Sequence, residues 1–296
     1  MKFSKAVEGM ILQESGGGKS ESTIQVYRYG LKKLISYLGD VEIESITKED
    51  LQRFFRYLRT DTSLCEATIA VVWRGVRIMF RWAAAELGTE RIDKDIPCPK
   101  SVSKAVRSYT EKEVYQLLKS VKEGGRNYAR DNAVIMLLLD TGMRIGELSR
   151  LQISDYDEEK KQVMIRPKGT GHKSFPRIVP LSDQTRSALW KYLATRGSTY
   201  DNDRLFLTND GRPVNRDSMR KMCARAGKRI GMRNVGPHRF RHTFITQYLR
   251  NGGDTLTLKS ITGIKSDKIL QGYAEISQAD LAVRHRASSP VTNWKI

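Results

Sequence analysis

Apolar positions recur every three or four residues through much of the first hundred residues, and that period predicts helices. In "STIQVYRYGLKKLISYLGD", Ser22 reads as an N-cap. Ile24, Tyr27, Leu31, Leu34 and Leu38 follow on one face, and Gly39 ends the run. A second helix opens where Thr47 and Asp50 stand at capping-box spacing, with Leu51, Phe54, Phe55 and Leu58 on its apolar side. A third, "EATIAVVWRGVRIMFRWAAAELG", closes near Gly88. The period then lapses. "KDIPCPKSVSKAVRSYT" holds two prolines and no helical pattern, which predicts an extended linker.

Periodicity resumes at Thr110 and Glu113, a second capping box. "ARDNAVIMLLLDTGMRIGELSRL" predicts a buried helix, a break at Gly142 and a further helix. "QVMIRPKGTGHKSFPRIVPL" predicts two short strands around a Gly-rich turn. The acidic "SDYDEEK" before it reads as a solvated turn, and residues 183–287 read as mostly helical. The pattern therefore predicts a mainly α chain with a small β-hairpin. Its parts are a helical domain over 1–96, a linker over 97–108, an α+β domain over 109–276 and a tail over 277–296.

Charge sharpens this picture. The formal net charge is +19, of which residues 1–100 carry +2 and residues 101–296 carry +17. A basic field gathered on one part of a chain suits a polyanion such as nucleic acid. Arg74, Arg77 and Arg81 form a basic stripe on the third helix, and Lys94, Lys100, Lys104 and Arg107 make the linker basic. The plainer reading of such a stripe is a solvated face. No run of 18 apolar residues occurs, and the N-terminal stretch lacks a sustained apolar core, so neither a membrane span nor a secretory signal is predicted. Cys65, Cys98 and Cys223 are scattered, as reduced thiols of a cytoplasmic protein are.

Four features carry candidate chemistry. Arg144 follows the glycine break in apolar surroundings, and taken alone it reads as a structural partner of Glu147. Lys168 sits in the hairpin turn, where a lysine is ordinarily just solvated. "HRFRH" packs His238, Arg241 and His242 into one helical turn. Its i, i+4 histidines have metal-ligand spacing, yet the cations between them oppose a metal, so no metal site is predicted. Tyr273, one of 12 tyrosines, has no claim by itself.

In this order, "TGMRIGEL", "PKG", "HRFRHTF" and "LKSITGIKSDKILQGY" resemble the tyrosine recombinases, or phage-type integrases, over roughly residues 5–285. The resemblance implies a SAM-like core-binding domain ahead of a catalytic domain, and no cofactor or metal. It also implies specific DNA sites as the substrate and four protomers on two duplexes, with the tail docked on a neighbour. By the same resemblance Tyr273 is the nucleophile, Arg144 and Arg241 clamp the scissile phosphate, Lys168 is the general acid with Lys173 its rival, and His238 handles the tyrosine proton. Glu147 and His242 support them, His242 in a more structural role. One position departs from the family pattern. Nine residues before Tyr273, where the family has histidine or tryptophan, stands Ile264, which donates no hydrogen bond. Another donor such as Lys265, a slow enzyme, or a local misalignment would each account for it. The compact layout, with no further domain expected ahead of the helices, resembles Xer-like and mobile-element recombinases. Two other readings stay open: a DNA-binding protein on the same fold with little activity, and a type IB topoisomerase.

Overall fold

The protein is described from a computed structural model, over residues 1–100, 107–166, 176–197 and 203–265. The chain divides into two units, residues 1–105 and 106–296.

The first unit holds α1 (Phe3–Gly16), α2 (Glu21–Leu38), α3 (Lys48–Thr60) and α4 (Glu66–Glu86). Helix α1 has no counterpart in the helices read from the sequence, although Phe3, Ala6, Val7, Met10 and Ile11, all buried, carry a clear helical period. Helix α2 starts two residues earlier than expected. Ser20, not Ser22, is the N-cap, its hydroxyl accepting from the Thr23 amide, because Ser22 lies inside the first turn. The box of Thr47 and Asp50 forms in full at the head of α3. Helices α2 and α4 meet where neither has a side chain: a Cβ on Gly30 would lie 3.1 Å from the Val72 Cα, and one on Gly75 3.3 Å from the Tyr27 carbonyl oxygen. That approach buries Tyr27, Leu31, Val72 and Val76 together. Downstream of α4, the Trp73 indole donates to the Ile96 carbonyl at 3.0 Å, fastening the exit of the unit.

The second unit starts at α5 (Glu111–Lys122), opened by the reciprocal box of Thr110 and Glu113. Then come α6 (Tyr128–Thr141), the single-turn α7 (Ile145–Leu148), and a three-stranded antiparallel sheet of β1 (Tyr156–Asp157), β2 (Gln162–Ile165) and β3 (Arg177–Pro180). Helices α8 (Asp183–Thr195), α9 (Arg216–Arg229), α10 (Pro237–Arg250) and α11 (Thr255–Thr262) complete it. Helix α6 is central, with Val134, Ile135, Leu137 and Leu138 all buried. Its apolar residues surround the helix rather than lining one face, as a buried helix requires.

The acidic segment before β2 corrects its reading as a solvated turn. Asp155 is buried, accepts from the Gln152 amide at 2.9 Å and lies 2.9 Å from Arg166 Nε, while Tyr156 and Asp157 pair with Val163 and Gln162 as an added strand. Hydropathy counted that carboxylate as solvated, but Arg166, just past the end of β2, neutralises it.

Candidate active site

The site gathers where α6 ends. Gly142 caps α6 in the left-handed conformation with φ 57°, which only glycine adopts freely. This turn points the chain into α7 with Arg144 as its N-cap residue. The Arg144 amide donates to Glu147 Oε2 at 2.8 Å, and its guanidinium Nη1 lies 3.4 Å from Glu147 Oε1. The Arg144 side chain is 40% exposed, so it is held at the backbone while its head faces solvent.

Arg241 arrives from α10. It is buried, and its Nη1 donates to the Gly142 carbonyl at 2.5 Å while Nη2 donates to the Thr262 carbonyl at 3.0 Å. Both acceptors lie at helix C-termini, of α6 and α11, where backbone carbonyls carry partial negative charge. Two helix ends thus offset one buried cation and fix its fork. Gly142 is tightly confined here, since a Cβ would lie 2.3 Å from the Phe244 ring. Gly142→Ala should destabilise the protein by about 1–3 kcal/mol through left-handed strain and that clash. Chemical unfolding that shows no loss would refute this.

Glu147 and Arg177 form the strongest ion pair of the site. Arg177 on β3 donates from Nη1 to Glu147 Oε1 at 3.1 Å and from Nη2 to Oε2 at 2.8 Å, with both side chains buried. Its Nε also donates to the Ile261 carbonyl at 2.7 Å. Arg177 therefore ties β3, α7 and the end of α11 together, beside the carbonyl that Arg241 uses. Sequence reading did not single it out. A lone arginine opening a strand in "FPRIVPL" carries no signal that its partner lies 30 positions earlier.

Arg239, also not singled out, braces the start of α10. Its guanidinium lies 4.0 Å over the Tyr109 ring, Nε donates to the Arg107 carbonyl at 2.8 Å, and Nη2 donates to Glu113 Oε1 at 3.3 Å. Tyr109 completes this clasp, its hydroxyl accepting from the Gly236 amide at 3.2 Å and its amide donating to Thr243 Oγ1 at 2.8 Å. Burial pushes the Tyr109 phenol up to about 12, which makes it a structural tyrosine and a poor nucleophile.

His238 is exposed at the start of α10, one turn before Arg241. His242 is half-buried, with Nδ1 3.4 Å from Thr246 Oγ1. Burial lowers its pKa, and Arg239 adds to the effect. A folded pKa below the unfolded value of about 6.5 means the fold favours the neutral ring. That stability is fully present above the unfolded pKa and is lost as pH falls through the folded one. The unfolding midpoint should therefore drop on acidification below about pH 6.5, and drop less in His242→Asn. Identical pH profiles for the two proteins would contradict this.

Ile264 is buried against Ile245, Leu249 and Leu258, two residues beyond the carbonyl that holds Arg241, and Lys265 next to it is exposed. Arg74, Arg77 and Arg81 are exposed along α4, with Arg77 stacked 4.9 Å from the Trp73 ring. Lys100 is exposed, and Arg107 pairs with Glu113. The structure thus brings Arg144, Glu147, Arg241 and Ile264 to one corner, with His238 and His242 on the same helix as Arg241. Lys104, Lys168, Lys173 and Tyr273 lie outside the described residues.

This corner sits within a wider likeness. Residues 107–279 match the phage integrase family, and residues 8–88 match the N-terminal SAM-like domain of phage integrases. The chain belongs to the phage integrase family. Tyrosine recombinase XerD of Halalkalibacterium halodurans is 30% identical over 271 residues, 88% of this chain and 89% of that protein. Among solved structures, the Tn1549 transposon integrase in complex with transposon right end DNA shares the fold, with TM-score 0.78 and 20% identity over 98% of this chain and 99% of that one. A lambda integrase tetramer bound to a Holliday junction has TM-score 0.76 and 17% identity over 95% of this chain and 81% of that one. As a tyrosine recombinase, the protein is an enzyme of DNA cleavage and religation. The helical first unit corresponds to the SAM-like domain and the second to the catalytic domain. Among the described residues, no helix is long and apolar enough to cross a membrane.

Proposed function

We propose that this recombinase serves a mobile genetic element, joining and separating DNA at specific sites through a covalent bond to Tyr273. In the forward step the Tyr273 hydroxyl attacks the phosphorus and the bond to the 5′-oxygen breaks. His238 takes the tyrosine proton and Lys168, or its rival Lys173, supplies one to the leaving oxygen. The 5′-hydroxyl of a partner strand reverses the step. The phosphodiester energy is kept in the phosphotyrosine, so the cycle requires neither nucleotide nor metal. Arg144 and Arg241 bind the non-bridging oxygens as permanent planar cations. Lys265 replaces the donor missing at Ile264, and the exposed Arg74, Arg77 and Arg81 with Lys100, Lys104 and Arg107 follow the duplex backbone.

The observation that carries this reading is the α6–α7 corner. An accessible Arg144 and a buried, helix-anchored Arg241 meet there in a member of the phage integrase family. Two duplexes must be cut for exchange, so four protomers act together, with residues 97–108 as linker and 277–296 reaching a neighbour. The lambda integrase tetramer on a Holliday junction supports that assembly, and the transposon integrase supports a mobile-element role.

The test is a nicked duplex carrying the element's recombination site, incubated with the protein in EDTA. An SDS-resistant adduct with a free 5′-hydroxyl is the expected product. Tight binding without any adduct would overturn the catalytic reading in favour of a DNA-binding role, and metal-dependent cleavage would overturn it in favour of a nuclease.

A further inference from the structure

The short helix α7 lies in an excess of positive charge. Its buried carboxylate, Glu147, is engaged on both oxygens by Arg177. Nearby Asp155 is engaged by Arg166 at 2.9 Å. Three more arginines surround the helix. Arg150, two residues beyond its end, is half-buried, and Arg204 Nη1 donates to the Arg150 carbonyl at 2.6 Å. Arg216, the first residue of α9, is exposed. Arg150 and Arg216 converge over Gly146, where a Cβ would lie 3.3 Å from Arg216 Cδ and 3.5 Å from Arg150 Nη1. Even an alanine there would crowd them.

The Arg150 guanidinium has no hydrogen bond or ion pair among the described residues. Burial lowers its pKa; Glu147 opposes that shift, while Arg204 and Arg216 add to it. Beside it lies a cavity of about 170 Å³ whose lining includes Arg150, Arg166, Arg204, Glu147 and Asp155, with Arg216 outside it. Both carboxylates in that lining already have arginine partners. Like charges crowded at a polar opening are stabilised by an anion arriving from solvent, and a guanidinium fork matches a phosphate geometrically.

We propose that Arg150 and Arg216, with Arg204 behind them, form a second phosphate site that grips the DNA backbone near the phosphate held by Arg144. The inference rests on the recombinase reading above and deepens it, because it adds a contact that grips the duplex without touching the reacting atoms. DNA, rather than a free anion, is the source of the phosphate. The cluster flanks the same short helix that Arg144 caps, and Arg216 extends it to the exposed surface.

The experiment measures duplex binding by wild type, Arg150→Gln and Arg216→Gln across a salt series. Lys122→Gln, the same charge loss on α5, serves as control. Each arginine variant should weaken binding roughly tenfold near 0.1 M salt and reduce the slope of log K against log salt by about 0.9, while the control changes neither. Arg150→Lys should recover part of the affinity, since the charge returns without the fork. Thermal unfolding of each variant separates a lost contact from a lost fold. A variant that unfolds normally and keeps the wild-type slope overturns the second site alone. Wild-type protein that does not bind the duplex overturns the recombinase reading as well. If inorganic phosphate raises the melting temperature of wild type but not of Arg150→Gln, and the slopes stay equal, the site takes a free anion and the DNA assignment fails.

Discussion

Tyr273→Phe is expected to leave duplex binding intact and to abolish the covalent adduct. The substitution removes one oxygen and keeps the ring, so it takes away the proposed nucleophile with little change in side-chain size. Under the proposed mechanism the reaction has no second route, because the phosphotyrosine itself holds the energy needed for religation. The loss should be about 10⁶-fold, the scale found when another covalent enzyme loses its nucleophile. A nicked-substrate assay read after SDS gives the adduct, and a gel-shift on the same samples gives the binding. An adduct at the wild-type level would remove Tyr273 from its role and send the search to another tyrosine. Tyr109 is a poor candidate, since it is buried with its phenol pushed up to about 12.

Arg177→Met is expected to be the most damaging change to stability. Breaking the pair removes the two-point contact on Glu147 Oε1 and Oε2, whereas the Arg144 amide at 2.8 Å and the 3.4 Å contact to the Arg144 guanidinium stay in place. Removing one partner of a buried ion pair costs about 3–5 kcal/mol, far more than the pair adds over an apolar replacement. For a unit of this size the melting temperature should fall by roughly 6–20 °C. The double variant Glu147→Leu with Arg177→Met should lose less than the sum of the single changes, because both halves of the buried pair are then gone together. A loss under about 1 kcal/mol for Arg177→Met would show that the carboxylate finds another partner. Since Glu147 also fixes the Arg144 backbone, the single variant should slow adduct formation at temperatures where the protein is still folded.

The two capping boxes, at Thr47 and Thr110, were readable because their residues interact within one turn of chain. The Gly142 break was readable for the same reason, since an arginine after a glycine at the end of an apolar run leaves few other geometries. Helix α1 was also open to reading. Its apolar period is complete, even though the same residues lack the sustained apolar core of a signal segment. The shift of the α2 cap from Ser22 to Ser20 is a smaller case, because "SES" offers two hydroxyls and local pattern does not choose between them. Asp155 is a different kind of miss. The acidic run around it suggested solvent, and only an ion-pair partner, Arg166, shows why it is buried.

The sequence by itself determined the mainly helical class, the basic second part, and the arginines, lysines, histidines and tyrosine in family order. These depend on residue identity and short spacing. Tertiary structure decided which charges are spent on the fold and which face outward. Arg177 and Arg239 are consumed by Glu147, Glu113 and the Tyr109 ring, whereas Arg144 keeps its head in solvent and Arg150 meets Arg216 over Gly146. The cost of burying a charge depends on partners brought from 30 to 130 positions away, and no local pattern along the chain carries that distance.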